Sequence, residues 1–161
     1  VSPLRADDAA TALARALGCE PWALDARLIA GLDALARAHN IDPAVLDETD
    51  LAGPDGPEWH LLRQLAEQAA SSLADALLPA RAPLLLVRPG PLARYTLTDL
   101  VHRLVQATRD PDAAPLFLLI PSTLPFLVDD QLPVPGFLPA QRLKVPEPWL
   151  DARRRERSTT V

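Results

Sequence analysis

The stretch PLLLVRPGPLARYTLTDLVHRLVQATRDPDAAPLFLLIPS, residues 83–122, contains two wholly apolar runs, at 84–87 and 116–120. Neither run alternates with polar residues, which predicts strands that are buried on both faces. Between them, apolar residues recur at i, i+3, i+4, i+7 and i+8 from Leu97, which is typical of a helix packed by one face. The order predicts a strand, a right-handed crossover helix over 97–108 and a second, parallel strand.

The crossover helix has a predicted start. Thr96-Leu97-Thr98-Asp99 has the form of a capping box, with Thr96 as N-cap and Asp99 three residues later. The preceding Arg88-Pro89-Gly90-Pro91 predicts a turn directly after the first strand.

Upstream of this unit the patterns are helical. Helices are predicted over 7–17, from Pro21 to a stop at Asn40, over 43–46 behind an Asp42 N-cap, and over 58–78. Two glycines and two prolines within 51–57 interrupt the series. We therefore predict a helical lobe over 1–52, a linker or loop over 53–57, and a helix plus small α/β lobe over 58–161. One continuous domain is the alternative.

Downstream, seven prolines between 121 and 148 preclude long regular elements. Short edge strands are predicted at 132–134 and 142–145, with a last helix from Pro148. The fold class is α/β with a helical N-terminal half, a small parallel sheet and a proline-rich C-terminal tail. Two strands make a poor sheet, so this half must borrow strands or a surface from the N-terminal helices, from another subunit or from sequence elsewhere.

Composition restricts the function classes. A net charge of −5 argues against a general nucleic-acid-binding surface. The exception is the basic C-terminal run of Arg153, Arg154, Arg155 and Arg157, which is either a solvated helix end or a contact for DNA or a partner. The single Cys19 excludes an internal disulfide and fits a cytoplasmic location. No run approaches the roughly 20 apolar residues of a membrane span. The chain contains no Met and starts at Val1, so we expect it to be a module of a larger protein.

The carboxyl ends of the two strands form a candidate ligand site, because open α/β sheets bind ligands there. Arg88, Gly90, Arg94 and Ser122 could hold an anion or nucleotide there. A purely structural turn is the competing interpretation, because the loop has neither a Walker-A nor a dinucleotide glycine pattern and its prolines remove backbone donors.

No catalytic motif is present in the sequence. His39, His60 and His102 lack metal-ligand spacing, and no serine lies in a nucleophile elbow. We therefore predict no catalytic residue, no metal site and no cofactor. Phe126, Phe137 and Trp149 are candidate docking anchors, although aromatic residues of a tail also commonly fasten it to its own core.

Two segments carry a family resemblance. Residues 83–95, PLLLVRPGPLARY, and 134–150, VPGFLPAQRLKVPEPWL, together resemble the C-terminal portion of a large protein of the Pgl, or type 2 BREX, phage-resistance systems of actinobacteria. Within that family the similarity points first to the serine/threonine kinase component and second to the ATPase component. The resemblance implies a cytoplasmic defence protein that acts with partner subunits, and DNA-modifying machinery. Any kinase or ATPase site would lie in sequence outside this chain.

These observations leave three hypotheses. The first is a non-catalytic protein-interaction module of a multidomain defence protein. The second is a nucleotide- or anion-binding lobe that uses the loop after the first strand. The third is DNA contact through the basic C-terminal run.

Overall fold

The computed structural model describes residues 3–122, 128–129, 132–133 and 142–158. Within them a 3-10 turn at Pro3–Arg5 leads into helices and strands. In chain order these are α1 (Ala6–Leu17), β1 (Pro21–Ala23), α2 (Leu24–Ala38), α3 (Pro43–Ala52), α4 (Trp59–Leu77), β2 (Leu84–Val87), α5 (Gly90–Arg94), α6 (Thr98–Ala107), β3 (Leu116–Leu118), β4 (Val128–Asp129), β5 (Leu132–Pro133) and α7 (Glu147–Ser158). The α/β class and the helical first half are confirmed.

The main sheet has three parallel strands in the order β1-β2-β3. Strand β2 is central, with Leu86 opposite both Trp22 of β1 and Leu118 of β3. The two apolar runs therefore pair side by side in the same direction, as predicted. The third strand comes from the N-terminal half, which is one of the sources that the small size of the predicted sheet required.

Strand β1 corrects the predicted start of the second helix. Pro21 suited a first helical position, but Pro21–Ala23 is a strand and the helix begins at Leu24. The physical reason is tertiary: β1 contributes backbone pairing along the edge of β2, and a three-residue strand is specified by its neighbour more than by its own propensity.

Helices cover both faces of the sheet. Successive side chains of a strand point to opposite sides, so an apolar strand needs cover on both. Leu86 packs with α2, α4, α5 and α6 in the larger cluster, whereas Leu85 and Val87 pack with α1 and α7 in the smaller one. Three layers result, and the central strand is buried on both faces, as its uninterrupted apolar run predicted.

The larger helical layer is centred on α2 and α4. Its buried leucines on α2 are Leu24, Leu28 and Leu32, which face a stripe of small residues on α4. Those small residues are Ala66, Ala69, Ala70 and Ala74, and all are buried. The slim middle that the sequence of α4 predicted lets α2 approach closely: a Cβ built at Gly31 would lie 3.3 Å from the Cβ of Ala69.

The smaller layer attaches the C-terminal helix. Leu150 of α7 is buried in the cluster that includes α1. Arg5 Nη1 lies 2.7 Å from Glu147 Oε2 and 2.8 Å from Asp151 Oδ1, so ion pairs join the start of α1 to the start of α7. The predicted last helix is present and starts one residue earlier, at Glu147.

Several local predictions need correction. The Arg88–Pro91 turn gives way to the short helix α5, because Pro91 is tolerated in the first turn of a helix. The capping box is wrong: Thr96 has φ +54°, the N-cap is Leu97, and no side chain caps α6.

Residues 142–145 form no strand, while 132–133 pair antiparallel with 128–129. Helix α3 behind Asp42 is confirmed but extends to Ala52, and the predicted strand over 116–120 ends at Leu118.

The hydrophobic core crosses residues 53–57. Buried residues of α2, before this stretch, pack in one cluster with Leu62 and Leu77 of α4, after it. The pairing of β1 with β2 also spans it. These contacts favour the continuous-domain alternative over the division into lobes, which remains a prediction.

Candidate interaction groove

Strand β3 forms one edge of the three-stranded sheet. Leu84 N–H donates to Pro115 C=O at 2.9 Å, and Leu119 N–H donates to Leu86 C=O at 2.9 Å. The odd-numbered residues along 115–119 therefore direct their backbone groups toward β2. Because these directions alternate along a strand, the N–H and C=O groups of Leu116 and Leu118 point to the outer side.

A groove runs along this outer side, which we call the β3 groove. Its volume is about 670 Å³. One wall comes from the larger layer, through Leu104 and Val105 of α6 and Thr108 at its C-cap. The other comes from the smaller layer, through Leu13 and Leu17 of α1. The residues of β3 and its continuation, 116–120, form the floor.

The residues of 116–120 contribute apolar side chains to both helical layers. Leu116, Leu118 and Ile120 pack toward the larger layer, and Phe117 and Leu119 toward the smaller one. Four of these five are half-buried, and Leu119 is buried. The β3 groove thus presents apolar surface both above and below the plane of the sheet.

Charged and exposed residues border the β3 groove. Asp110, in the turn that leads from α6 to β3, lines the groove. Arg142, the first residue of the segment 142–145, lines it as well. Between Arg142 and Val145, Leu143 is 90% exposed and also lines the groove. Leu143 thus adds exposed apolar surface at the border of the groove.

The opposite edge of the sheet differs. Strand β1 begins with Pro21, which has no N–H to offer a further strand. A smaller cavity of about 290 Å³ lies near the start of β1 and β2, lined by Cys19, Trp22 and Leu84 among others. The edge at β3 is therefore the better of the two for pairing with another backbone.

The predicted ligand residue Arg88 lies at the carboxyl end of the central strand. Its φ of +57° is in the left-handed region, which is uncommon for a residue other than glycine. Its guanidinium nitrogens are 3.9 Å from Asp7 Oδ1 at the start of α1 and 3.8 Å from Asp25 Oδ2 at the start of α2. These two carboxylates oppose an anion at this position.

Arg94 has different partners. Its Nε donates to Asp50 Oδ1 at 3.2 Å, its Nη2 donates to the Asp50 backbone carbonyl at 2.5 Å, and its guanidinium lies 5.1 Å from the ring centroid of Trp59. Tyr95 Oη also donates to Asp50 Oδ1, at 3.1 Å. The end of α3 is thereby joined to α5, so the contacts of Arg94 serve the packing of helices.

The Tyr95 hydroxyl has an altered acidity. Burial, the nearby charge of Asp50 and the hydrogen bond to Asp50 together raise the pKa of the Tyr95 phenol well above its ordinary value of 10.0. The phenol remains a neutral donor through the physiological range. Its position under the Trp59 ring, with ring centroids 5.7 Å apart, is that of a structural tyrosine.

The other two predicted ligand residues lie at the same end of the sheet as Arg88. Gly90 is the first residue of α5, two positions after Arg88. Ser122 follows β3 and is half-buried. Arg88 contacts the carboxylates of Asp7 and Asp25, whereas Arg94 contacts that of Asp50. The four-residue ligand site remains a prediction.

Among the predicted anchors, Trp149 packs against the smaller cluster, with the Arg153 guanidinium 5.5 Å from its ring centroid. It contributes to holding α7 on the core. This agrees with the alternative interpretation, in which aromatic residues of the tail fasten it to its own core. Phe126 and Phe137 lie outside the described residues.

The basic run lies on α7. Arg153 Nη1 is 2.9 Å from Glu156 Oε2. Arg154 and Arg155 are exposed, and the side chain of Arg157 lies outside the described set. Part of the positive charge is therefore balanced within the helix itself.

The sequence prediction missed the β3 groove. The apolar periodicity predicts Val105 on the face of the crossover helix that packs on the sheet, and the structure shows that it also lines the groove. The one available signal was that a small parallel sheet ends in edge strands whose apolar residues need cover.

Two further features concern the described residues only. They contain no group of three or more His, Cys, Asp or Glu side chains with the arrangement to hold a metal ion. No helix among them combines the length and the apolar character that crossing a membrane requires.

Comparison of the chain with models of protein families, with curated proteins and with solved structures finds no match.

Proposed function

We propose that this chain is a non-catalytic protein-interaction module of a multidomain bacterial phage-defence protein. The observation that carries the proposal is the β3 groove, which offers an apolar slot of about 670 Å³ beside an edge strand. Clefts of this size and apolar character are typical of binding sites. The resemblance of residues 83–95 and 134–150 to Pgl proteins supports the choice of a defence protein and of a cytoplasmic location.

Partners would be other subunits or domains of the defence system. DNA would be reached indirectly, or through Arg153, Arg154, Arg155 and Arg157. The indirect route is favoured by the net charge of −5 and by the pairing of Arg153 with Glu156. The anion-binding alternative is weakened by the carboxylates of Asp7 and Asp25 beside Arg88.

The test uses a matched pair of leucine substitutions. The chain is tagged in cells that express the neighbouring genes, and cross-linked complexes are isolated for wild type, Leu143→Asp and Leu51→Asp. Both leucines are highly exposed, at 90% and 86%, so neither substitution should cost stability. Only Leu143 lines the β3 groove.

A partner subunit that cross-links to wild type and Leu51→Asp, and is lost in Leu143→Asp, would support the proposal. Equal recovery in all three would refute the groove as the interaction surface. Absence of any partner subunit with wild type would refute the interaction function itself.

A further inference from the structure

The geometry points to the class of partner: the β3 groove takes an extended, apolar segment of another protein, which pairs with β3 as a fourth strand. This inference rests on the proposed function and specifies how the groove would bind. It is carried by the backbone of β3, by the lining of the groove and by the charge of Asp110 at its border.

The backbone is the first argument. The outward N–H and C=O groups of Leu116 and Leu118 are strong hydrogen-bonding groups in apolar surroundings. An occupant that covered them with side chains alone would leave them unsatisfied, which is costly in a buried site. An extended backbone supplies acceptors and donors at the matching spacing.

Shape is the second argument. The groove lies beside β3, and its lining includes apolar residues of α6 from one face of the sheet and of α1 from the other. A neighbouring strand lies about 4.8 Å away, whereas a helix needs a diameter of about 10–12 Å. Both faces of the inserted strand would meet apolar walls, so its side chains should be apolar on both faces, as in the interior of a parallel sheet.

Charge is the third argument. Asp110 lies in the turn before β3 and borders the groove at that end of the strand. A strand that carries a basic residue at the end near Asp110 would complement this carboxylate. An acidic residue at the same end would be repelled, which opposes insertion in the wrong direction.

The test uses a synthetic probe with the purified full chain. The probe is the acetylated and amidated heptapeptide Lys-Val-Ile-Val-Ile-Val-Glu, labelled for fluorescence anisotropy. Its matched control carries N-methyl groups on alternate amides of the edge that would face β3, so it has almost the same side-chain surface but lacks those donors. We expect the control to bind about tenfold or more weakly, since two or more hydrogen bonds are lost.

A protein variant tests the other side of the same bonds. Leu118→Pro removes one outward N–H from β3, and Leu118→Val retains it with similar apolar character. Binding should fall about tenfold in the proline variant and change little in the valine variant. If the proline variant does not fold, the comparison of the two peptides on wild type decides alone.

Other outcomes overturn the inference. Equal affinity of both peptides, or no binding of either, would show that the groove does not accept a strand. Binding only after deletion of residues 123–141 would assign the groove to the chain's own segment, and release of a dimer by the peptide would assign it to a second copy. Because the cross-linking experiment tests partner capture, the interaction function can survive failure of the strand-pairing inference.

Discussion

The contact between Gly31 of α2 and Ala69 of α4 allows a quantitative test of the packing. Gly31 lies within α2, and a Cβ there would meet the Ala69 Cβ at 3.3 Å and its Cα at 3.9 Å. Ala69 is 4% exposed and lies between buried neighbours on α4, so the backbone has little room to retreat. The higher helix propensity of alanine at position 31 should raise the free energy of unfolding by about 1 kcal/mol. The steric conflict with Ala69 should lower it by about 2 kcal/mol.

The single and double variants then have distinct expected stabilities. Gly31→Ala should destabilise the protein by about 1 kcal/mol, the difference of these two terms. Ala69→Gly should also cost about 1 kcal/mol because it places glycine within a helix. In the double variant the steric conflict is gone, so the net change should be near zero. The coupling energy of the cycle is therefore about 2 kcal/mol.

The assay is urea denaturation followed by circular dichroism at 222 nm for all four proteins. The matched control is the cycle of Gly31→Ala with Ala70→Gly, since Ala70 is the adjacent buried alanine and lies outside the 4 Å shell around the new Cβ. That control cycle should be additive within about 0.5 kcal/mol. Additivity in the Ala69 cycle as well would refute close packing of α2 on α4.

Three further predictions concern other elements. Asp42→Ala should cost about 1 kcal/mol, because the Asp42 side chain accepts a hydrogen bond from Ala44 N–H at 3.0 Å; an unchanged urea midpoint would contradict this. Native Tyr95 keeps its proton above pH 10.0, where the unfolded chain loses it, so ionisation favours unfolding. Wild-type stability should therefore fall by up to about 1.4 kcal/mol per pH unit more steeply there than that of Tyr95→Phe, and equal slopes would oppose the burial of this phenol. Leu150→Ala should cost about 2–5 kcal/mol and speed hydrogen exchange in α7, and unchanged protection would show that α7 does not depend on this anchor.

The strand and helix pairing of residues 84–118 was predictable because each element carries its own signal. Runs without polar alternation specify strands buried on both faces, and the regular stripe of α6 specifies a packed helix. Asp42 with Pro43 likewise specifies a helix start through purely local bonds.

Strand β1 and the contacts of Arg94 depend on residues far away in sequence. Trp22 pairs with Leu86, and Arg94 binds Asp50, so neither arrangement has a local signature. Thr96 shows the reverse situation, in which a local capping signal is overridden by the turn that follows α5. The β3 groove could not be predicted because its lining combines residues of α1, of α6 and of 116–120, which are far apart in sequence.

The pairing of β1 with β2 has a consequence for experiments that divide the polypeptide. The two strands are contributed from opposite sides of residues 53–57, so a cut in that glycine- and proline-rich stretch would separate immediate neighbours. In a recombinant piece that starts at residue 58, β2 would lose its pairing with β1 and become an unpaired edge strand. Such a piece would be prone to aggregate. Co-expressed with the complementary piece, it should reassemble in the manner of a split reporter, which makes this stretch a natural position for a cleavable insertion.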